Sequence, residues 1–285
     1  MKYKKGELVI DGFKAEKLAN KYSTPLYCYS LRIIRENIIN FKKNFNALNP
    51  LICFAVKANP NKVLLQEIGK LGLGADVVSV GEMMRALKSG IKSNKIVFSG
   101  VGKTSKEISF AIEKKILLIN AESKSEILEI ETIAKSKNKK VNIGIRLNPN
   151  TDAKTLSQIS TGRKENKFGV SEKKFLNLVK YVKNSNFLKL KCLSVHIGSQ
   201  ILDHKPYQKM LKVLEKVIKK TKFDFEYIDL GGGMGIDYAK NNKKLDFKKY
   251  AVEIKKFIKK IKSKIIFEPG RTIVASSGIL LSKVI

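Results

Sequence analysis

LICFAVKANPNKVLLQEIGKLGLGADVVSVGE, residues 51–82, decides the fold. It opens on an apolar run at 51–56, passes through a polar turn and an amphipathic stretch, and returns to a second apolar run at 75–79. Parallel strands covered on both faces are apolar throughout, while the helix that crosses back needs only one apolar face. The stretch therefore reads as a strand–helix–strand unit. The alternation continues outward, with further strands expected at 95–99, 116–120, 141–147, 190–197, 226–230 and 264–268, eight in all. The helical period is clearest at 206–220, where Tyr207, Met210, Leu211, Leu214, Val217 and Ile218 share a face. It is equally clear at 246–261, through Phe247, Tyr250, Ala251, Ile254, Phe257 and Ile261. Thr104 with Glu107 and Ser123 with Glu126 have the spacing of capping boxes, which starts helices just after the third and fourth strands. Eight strands separated by helices favour a closed (β/α)8 TIM barrel over an open sheet.

Three regions stand outside the repeat. A helix is expected at about 30–45, before the first strand, and residues 1–29 precede it as a separate segment. Residues 275–285, ASSGILLSKVI, form another strand-like run after the eighth strand. The irregular stretch 148–169, NPNTDAKTLSQISTGRKENKFG, is long for a loop in a compact domain, and loops of that length are usually functional or disordered.

A chain of 285 residues suits one barrel of roughly 250 residues better than two unrelated domains. No apolar stretch approaches the roughly 20 residues of a membrane span, and MKYKKGELVIDGF lacks the apolar core of a secretory signal, so a cytoplasmic protein is expected. Cys28, Cys53 and Cys192 have neither metal-ligand nor redox spacing. Lys and Arg number 57 against 25 Asp and Glu, a formal charge of +32. The lysines fall on polar faces of amphipathic segments such as KMLKVLEKVIKK and form no basic tail or stripe interleaved with aromatics, so nucleic acid is not the expected partner. Anionic substrates and phosphates should still be drawn to this surface.

A parallel barrel delivers the ends of its strands to one rim, so polar and glycine residues there are the candidates for chemistry. Lys57 follows Phe54, Ala55 and Val56, and partial burial would lower its pKa and free the amine for covalent capture of a carbonyl; a surface lysine is the alternative. Gly231, Gly232 and Gly233 leave the seventh strand, either to offer backbone N–H groups to a phosphate or to make a tight turn. Ser199 could add a hydroxyl to the same phosphate. His196 is either a satisfied core histidine or an imidazole stacked on a planar cofactor. Glu268 either pairs with Arg271 or accepts from a protonated ring nitrogen.

AVKAN, HIGSQ, GGGMG and EPGR, each at a deduced strand end and in this order, resemble the barrel-type pyridoxal-phosphate decarboxylases, the fold relatives of alanine racemase. GADVVSVGE, IVFSGVGKT, INAES and ISTGRKENKFG make the chain most similar to the diaminopimelate decarboxylase family, over about residues 6–285. The resemblance implies that Lys57 holds pyridoxal 5'-phosphate covalently, that His196 stacks on its ring and that Glu268 contacts the pyridine nitrogen. Asp76 joins this cofactor-binding set. The phosphate would rest on Ser199, Gly232, Gly233 and the EPGR turn with Gly270, and Arg271 would bind cofactor and a substrate carboxylate. The implied reaction converts meso-2,6-diaminopimelate to L-lysine and carbon dioxide; no metal is implied. The alternatives are another basic amino-acid decarboxylase and a non-catalytic, regulatory barrel that binds the cofactor.

The family continues past EPGR into a β-domain carrying a Cys-Glu-Ser motif and a tyrosine that reach a neighbouring subunit's site. The expected organisation is therefore residues 1–29 and 275–285 as remnants of that second domain, exposing apolar edges, around a cofactor barrel at 30–274. The resemblance implies a homodimer for the full-length protein, and an activity that truncation would impair.

Overall fold

The computed structural model describes residues 1–285 except 156, 164 and 239–243. Eight strands close into a parallel barrel: β1 (Leu51–Ala55), β2 (Gly74–Val77), β3 (Ile96–Phe98), β4 (Leu118–Ala121), β5 (Val141–Arg146), β6 (Leu188–Ser194), β7 (Tyr227–Asp229) and β8 (Lys264–Phe267). The ring closes where Ile266 and Phe267 of β8 pair with Leu51 and Ile52 of β1. All eight expected strands are present, and the fold is the (β/α)8 barrel read from the alternation. The observed strands are mostly shorter than the apolar runs, because the chain leaves the ladder before the hydrophobic sequence ends and carries its last residues to the mouth.

Alternation along each strand sorts side chains into two cores. Ile52 and Phe54, like Ile265 and Phe267, belong to the large cluster shared with the helices, whereas Cys53 and Ile266 join Val97, Leu118 and Cys192 in a small separate cluster. The small cluster is the filling of the barrel. Two residues further along each strand the same inward row turns polar: Val97 gives way to Ser99, Leu118 to Asn120, Cys192 to Ser194 and Ile266 to Glu268, all four of these polar residues buried. Gly74 and Gly144 leave the inner space that their neighbours fill, since a Cβ on Gly144 would meet Asn120 Oδ1 at 2.0 Å and Cys192 Cβ at 3.0 Å. The barrel is thus an apolar plug capped by a polar floor.

The helix Leu31–Phe45 starts at Ser30, whose side chain accepts from Ile33 N, and covers the closing seam. Phe45 is fully buried, with its ring 4.7 Å from Phe267 of β8, 4.8 Å from Phe41 and 5.6 Å from Phe247 of the last long helix, Phe247–Ile258. Phe45→Ala is expected to cost about 3–5 kcal/mol, read by urea denaturation, because it removes a fully buried ring and leaves a cavity among its aromatic neighbours. The expected helix at 206–220 runs from Lys205 to Thr221 and buries Tyr207, Met210, Leu211, Leu214 and Val217. Thr104 and Glu107 form a full capping box. Ser123 accepts from Glu126 N as expected, but Glu126 turns its carboxylate to Glu122 N and to Lys103 Nζ rather than back to the cap.

The two ends of the chain meet. Leu26–Tyr29 pairs antiparallel with Gly278–Leu281, and a three-stranded sheet of Lys2–Lys4, Glu7–Ile10 and Phe13–Lys14 lies beside them in sequence. Val9 and Ile10 are buried, but Tyr3, Phe13, Tyr27 and Leu280 are exposed. Among the described residues no helix is long and apolar enough to cross a membrane.

Candidate active site

The strand ends open onto a cavity of about 560 Å³. Of the expected residues, Lys57, His196, Ser199, Gly233, Glu268, Gly270 and Arg271 line it. Asp76 and Gly232 sit behind that surface, both buried. The paired terminal strands supply a further wall through Tyr27, Tyr29, Ile279 and Leu280.

Lys57 leaves β1 in a single 3-10 turn, Val56–Ala58, and its Nζ lies 3.4 Å from Oδ2 of Asp76 on the neighbouring β2. Asp76 is 1% exposed, and its Oδ1 has no hydrogen-bond partner. The sequence reading expected burial to lower the Lys57 pKa, and the structure corrects this: the Asp76 carboxylate outweighs desolvation and holds the ammonium above its ordinary value. The apolar neighbours in sequence mislead because the deciding charge is 19 residues away.

His196 lies beyond the end of β6, with Gly232 N donating to its Nδ1 at 3.1 Å. That bond places the ring proton on Nε2. Burial, with the positive Arg146 and Lys57, pushes the His196 pKa well down, so the imidazole is neutral. Its backbone carbonyl accepts from Thr161 Oγ1 at 2.8 Å and from Arg146 Nη2 at 3.4 Å. Residues 159–161 of the long stretch 148–169 therefore brace the end of β6: Thr161 N also donates to Ile197 O, and Ser199 N donates to Ile159 O. Residues 156 and 164 of that stretch lie outside the described residues.

Glu268 follows β8, is 8% exposed, and has a buried Oε1 without a hydrogen-bond partner. Desolvation, and then the charges of Asp229 and Asp76, raise its pKa well above the carboxylate range. The alternative of an ion pair with Arg271 is not what forms: Arg271 Nη1 instead donates to Gln200 Oε1 at 3.2 Å. The glycine run has a packing reason of its own. A Cβ on Gly232 would meet Glu268 O at 2.1 Å, and one on Gly233, at φ +85°, would meet Gly198 O at 2.1 Å. Gly233→Ala should accordingly cost upward of about 2 kcal/mol through backbone strain and displacement, visible as a lowered melting temperature. A melting temperature equal to wild type would show that the turn yields freely.

Sequence reasoning missed much of the polar floor. Asp229 is fully buried, accepting from Asn120 Nδ2 at 3.0 Å and Ser194 Oγ at 3.1 Å. Arg146 at the end of β5 donates to Glu122 Oε1 at 3.1 Å and lies 4.9 Å over the Phe168 ring. Glu122 also accepts from Gly100 N and Gly169 N, at 3.0 and 3.1 Å, so the INAES and KFG motifs together hold Arg146 on the mouth. The period of two, counted past each strand, was the signal that could have found Asn120, Arg146 and Asp229.

An amine beside a buried carboxylate, a neutral imidazole, an orphaned carboxyl oxygen and a glycine turn reaching the cavity wall fit a phosphorylated pyridine aldehyde. Fold and site together define the class: a barrel enzyme whose mouth is suited to a carbonyl cofactor. The chain belongs to the pyridoxal-dependent decarboxylases, whose pyridoxal-binding domain matches residues 31–275. It is a carboxy-lyase with pyridoxal phosphate as cofactor. It is 46% identical over 277 residues to the diaminopimelate decarboxylase of Helicobacter pylori strain J99, covering 96% of this chain and 68% of the relative. Against the Aquifex aeolicus diaminopimelate decarboxylase it is 41% identical over 288 residues, covering 100% and 68%. The crystal structure of diaminopimelate decarboxylase from Helicobacter pylori complexed with L-lysine superposes with a TM-score of 0.90 at 44% identity, covering 93% of this chain and 68% of that one. The corresponding M. jannaschii enzyme in complex with L-lysine gives 0.91 at 35% identity, covering 99% and 69%.

Proposed function

We propose that this chain catalyses decarboxylation of meso-2,6-diaminopimelate to L-lysine and carbon dioxide. The observation that carries the reading is the placement of Lys57 Nζ, 3.4 Å from buried Asp76, in one cavity with His196, Ser199, Gly233, Glu268 and Arg271. The substrate is supported by the names of the relatives and by the L-lysine complexes of two superposing structures. When bound, pyridoxal phosphate supplies an aldehyde for amine capture and a ring that accepts the electron pair left by the departing carboxylate. Lys57 would be the residue that holds it, its Nζ supplying the amine. His196, neutral and held by Gly232 N, gives a flat face against which the ring is oriented. Ser199, Gly233 and Gly270 would hold the phosphate, Gly232 shaping the same turn with its N–H given to His196, and Glu268 would receive the ring nitrogen. Arg271 holds a substrate carboxylate, orienting the bond that breaks.

The domain organisation follows the same reading: the barrel, 30–274, carries the cofactor, and 1–29 with 275–285 form one side of a second β-domain. A homodimer and a cytoplasmic location complete it, supported by the resemblance and by the free thiols of Cys28, Cys53 and Cys192. Light scattering and cell fractionation test these two.

The function is tested by incubating the chain with pyridoxal phosphate and meso-diaminopimelate and measuring L-lysine. Equimolar L-lysine and carbon dioxide are expected. Release from ornithine or lysine but not diaminopimelate would favour another basic amino-acid decarboxylase. Cofactor uptake with no turnover on any of them would favour a non-catalytic barrel. Asp76 adds a second test. Because it holds the Lys57 pKa up, Asp76→Asn should lower that pKa and enlarge the neutral amine fraction at any given pH. The pH profile of cofactor capture should then move to lower pH, with capture at neutral pH faster by as much as about tenfold, one pKa unit. A profile that stays in place would remove Asp76 from its assigned role.

A further inference from the structure

Asp229 takes no direct part in the reaction just described, yet it is fully buried and accepts three hydrogen bonds. Its Oδ2 accepts from Asn120 Nδ2 at 3.0 Å and Ser194 Oγ at 3.1 Å, and its Oδ1 accepts from Gly231 N at 2.9 Å. It also meets Glu268, side chain to side chain. Ionised carboxylates only accept hydrogen bonds, so two of them in contact need one proton between them. The other partners decide where it sits. Three donors converge on Asp229 and stabilise an anion there, whereas Glu268 Oε1 is buried with no partner.

We propose that Asp229 is a positioning residue that shares a single proton with Glu268: before the cofactor binds Glu268 is the neutral acid, and when a cationic ring nitrogen engages Glu268 the proton passes to Asp229. The Glu268 O–H bond breaks, an Asp229 O–H bond forms, and no proton is gained or lost by the pair. Glu268 then meets the ring as an anion although it rests uncharged in a buried site. The fixed donors on Asp229 prevent the two carboxylates from turning apart. This inference rests on the cofactor reading above.

The groups facing the pair are consistent with one shared proton. Asp76 on β2 adds negative charge, Lys57 after β1 opposes it, and the thiols of Cys53 and Cys192 below are kept neutral by burial. Desolvation pushes Asp229 up to about 6 and raises Glu268 as well, in keeping with one proton held between them.

The test is infrared spectroscopy of the full chain at neutral pH, reading the C=O stretch of protonated carboxyl groups, with circular dichroism confirming each fold. Wild type should show one such band, shifted but retained when pyridoxal phosphate is added. Asp229→Asn and Glu268→Gln should each lose it, because an amide can donate to the remaining carboxylate in place of the proton. Asn120→Ala, which removes one donor from Asp229 while keeping both acids, should shift the band. A wild type without the band, a band surviving in folded Asp229→Asn, a band lost on loading, or an unshifted band in Asn120→Ala overturns the proposal. Loading is read separately by reductive trapping on Lys57. Absence of trapping defeats the cofactor reading itself, whereas trapping accompanied by any of those spectra defeats only the shared proton.

Discussion

Lys57→Ala is expected to abolish both covalent cofactor uptake and turnover, with L-lysine formation falling by at least about 10⁴-fold. The effect should be this large because, among the described residues, Lys57 is the one lysine lining the cavity. Lys103, another lysine near the mouth, has a fully buried side chain and is committed at 2.6 Å to Glu126 and at 2.6 and 2.8 Å to the carbonyls of Gly100 and Asn120. The fold should survive, since the Lys57 side chain is more than half exposed and its single ion pair is long. Unchanged melting together with lost visible absorbance on cofactor addition is the expected pair of readings. Retention of the absorbance would move the covalent link to another lysine.

Glu268→Gln should leave covalent capture at Lys57 intact while lowering turnover on the order of 10²–10³-fold, the usual scale for removing one preorganised charge interaction. Glutamine keeps the size of the side chain and can still hydrogen-bond Asp229, but it cannot meet a ring cation as an anion. The loss should appear in kcat with little change in KM, because the carboxyl acts on the charge that develops during reaction. A variant that instead fails to take up the cofactor would show that Glu268 serves binding alone.

The barrel was legible because its two demands on sequence differ. Strands buried on both faces gave unbroken apolar runs such as LICFAV, and covering helices gave one-faced patterns such as that from Tyr207 to Val217. The rim motifs were legible because glycines and a lone histidine at strand ends have few other reasons to be there. What escaped the sequence depends on contacts between strands. Asp76 could be named, but not the 3.4 Å approach that raises rather than lowers the Lys57 pKa. Asn120 and Asp229 lie 109 residues apart and meet across the barrel, and nothing local to either marks the bond. Glu268 and Arg271 are close in sequence and look paired, yet the turn at Gly270 sends Arg271 to Gln200 instead.

The central claim is that one particular amine, among the many lysines of this chain, is the covalent anchor of the cofactor. Incubation with pyridoxal phosphate, borohydride reduction and mass spectrometry of the digest test it most directly. The account predicts a single stoichiometric pyridoxyl label on the peptide containing Lys57. A label on a different lysine, or one scattered over the basic surface with Lys57 unmodified, would contradict it.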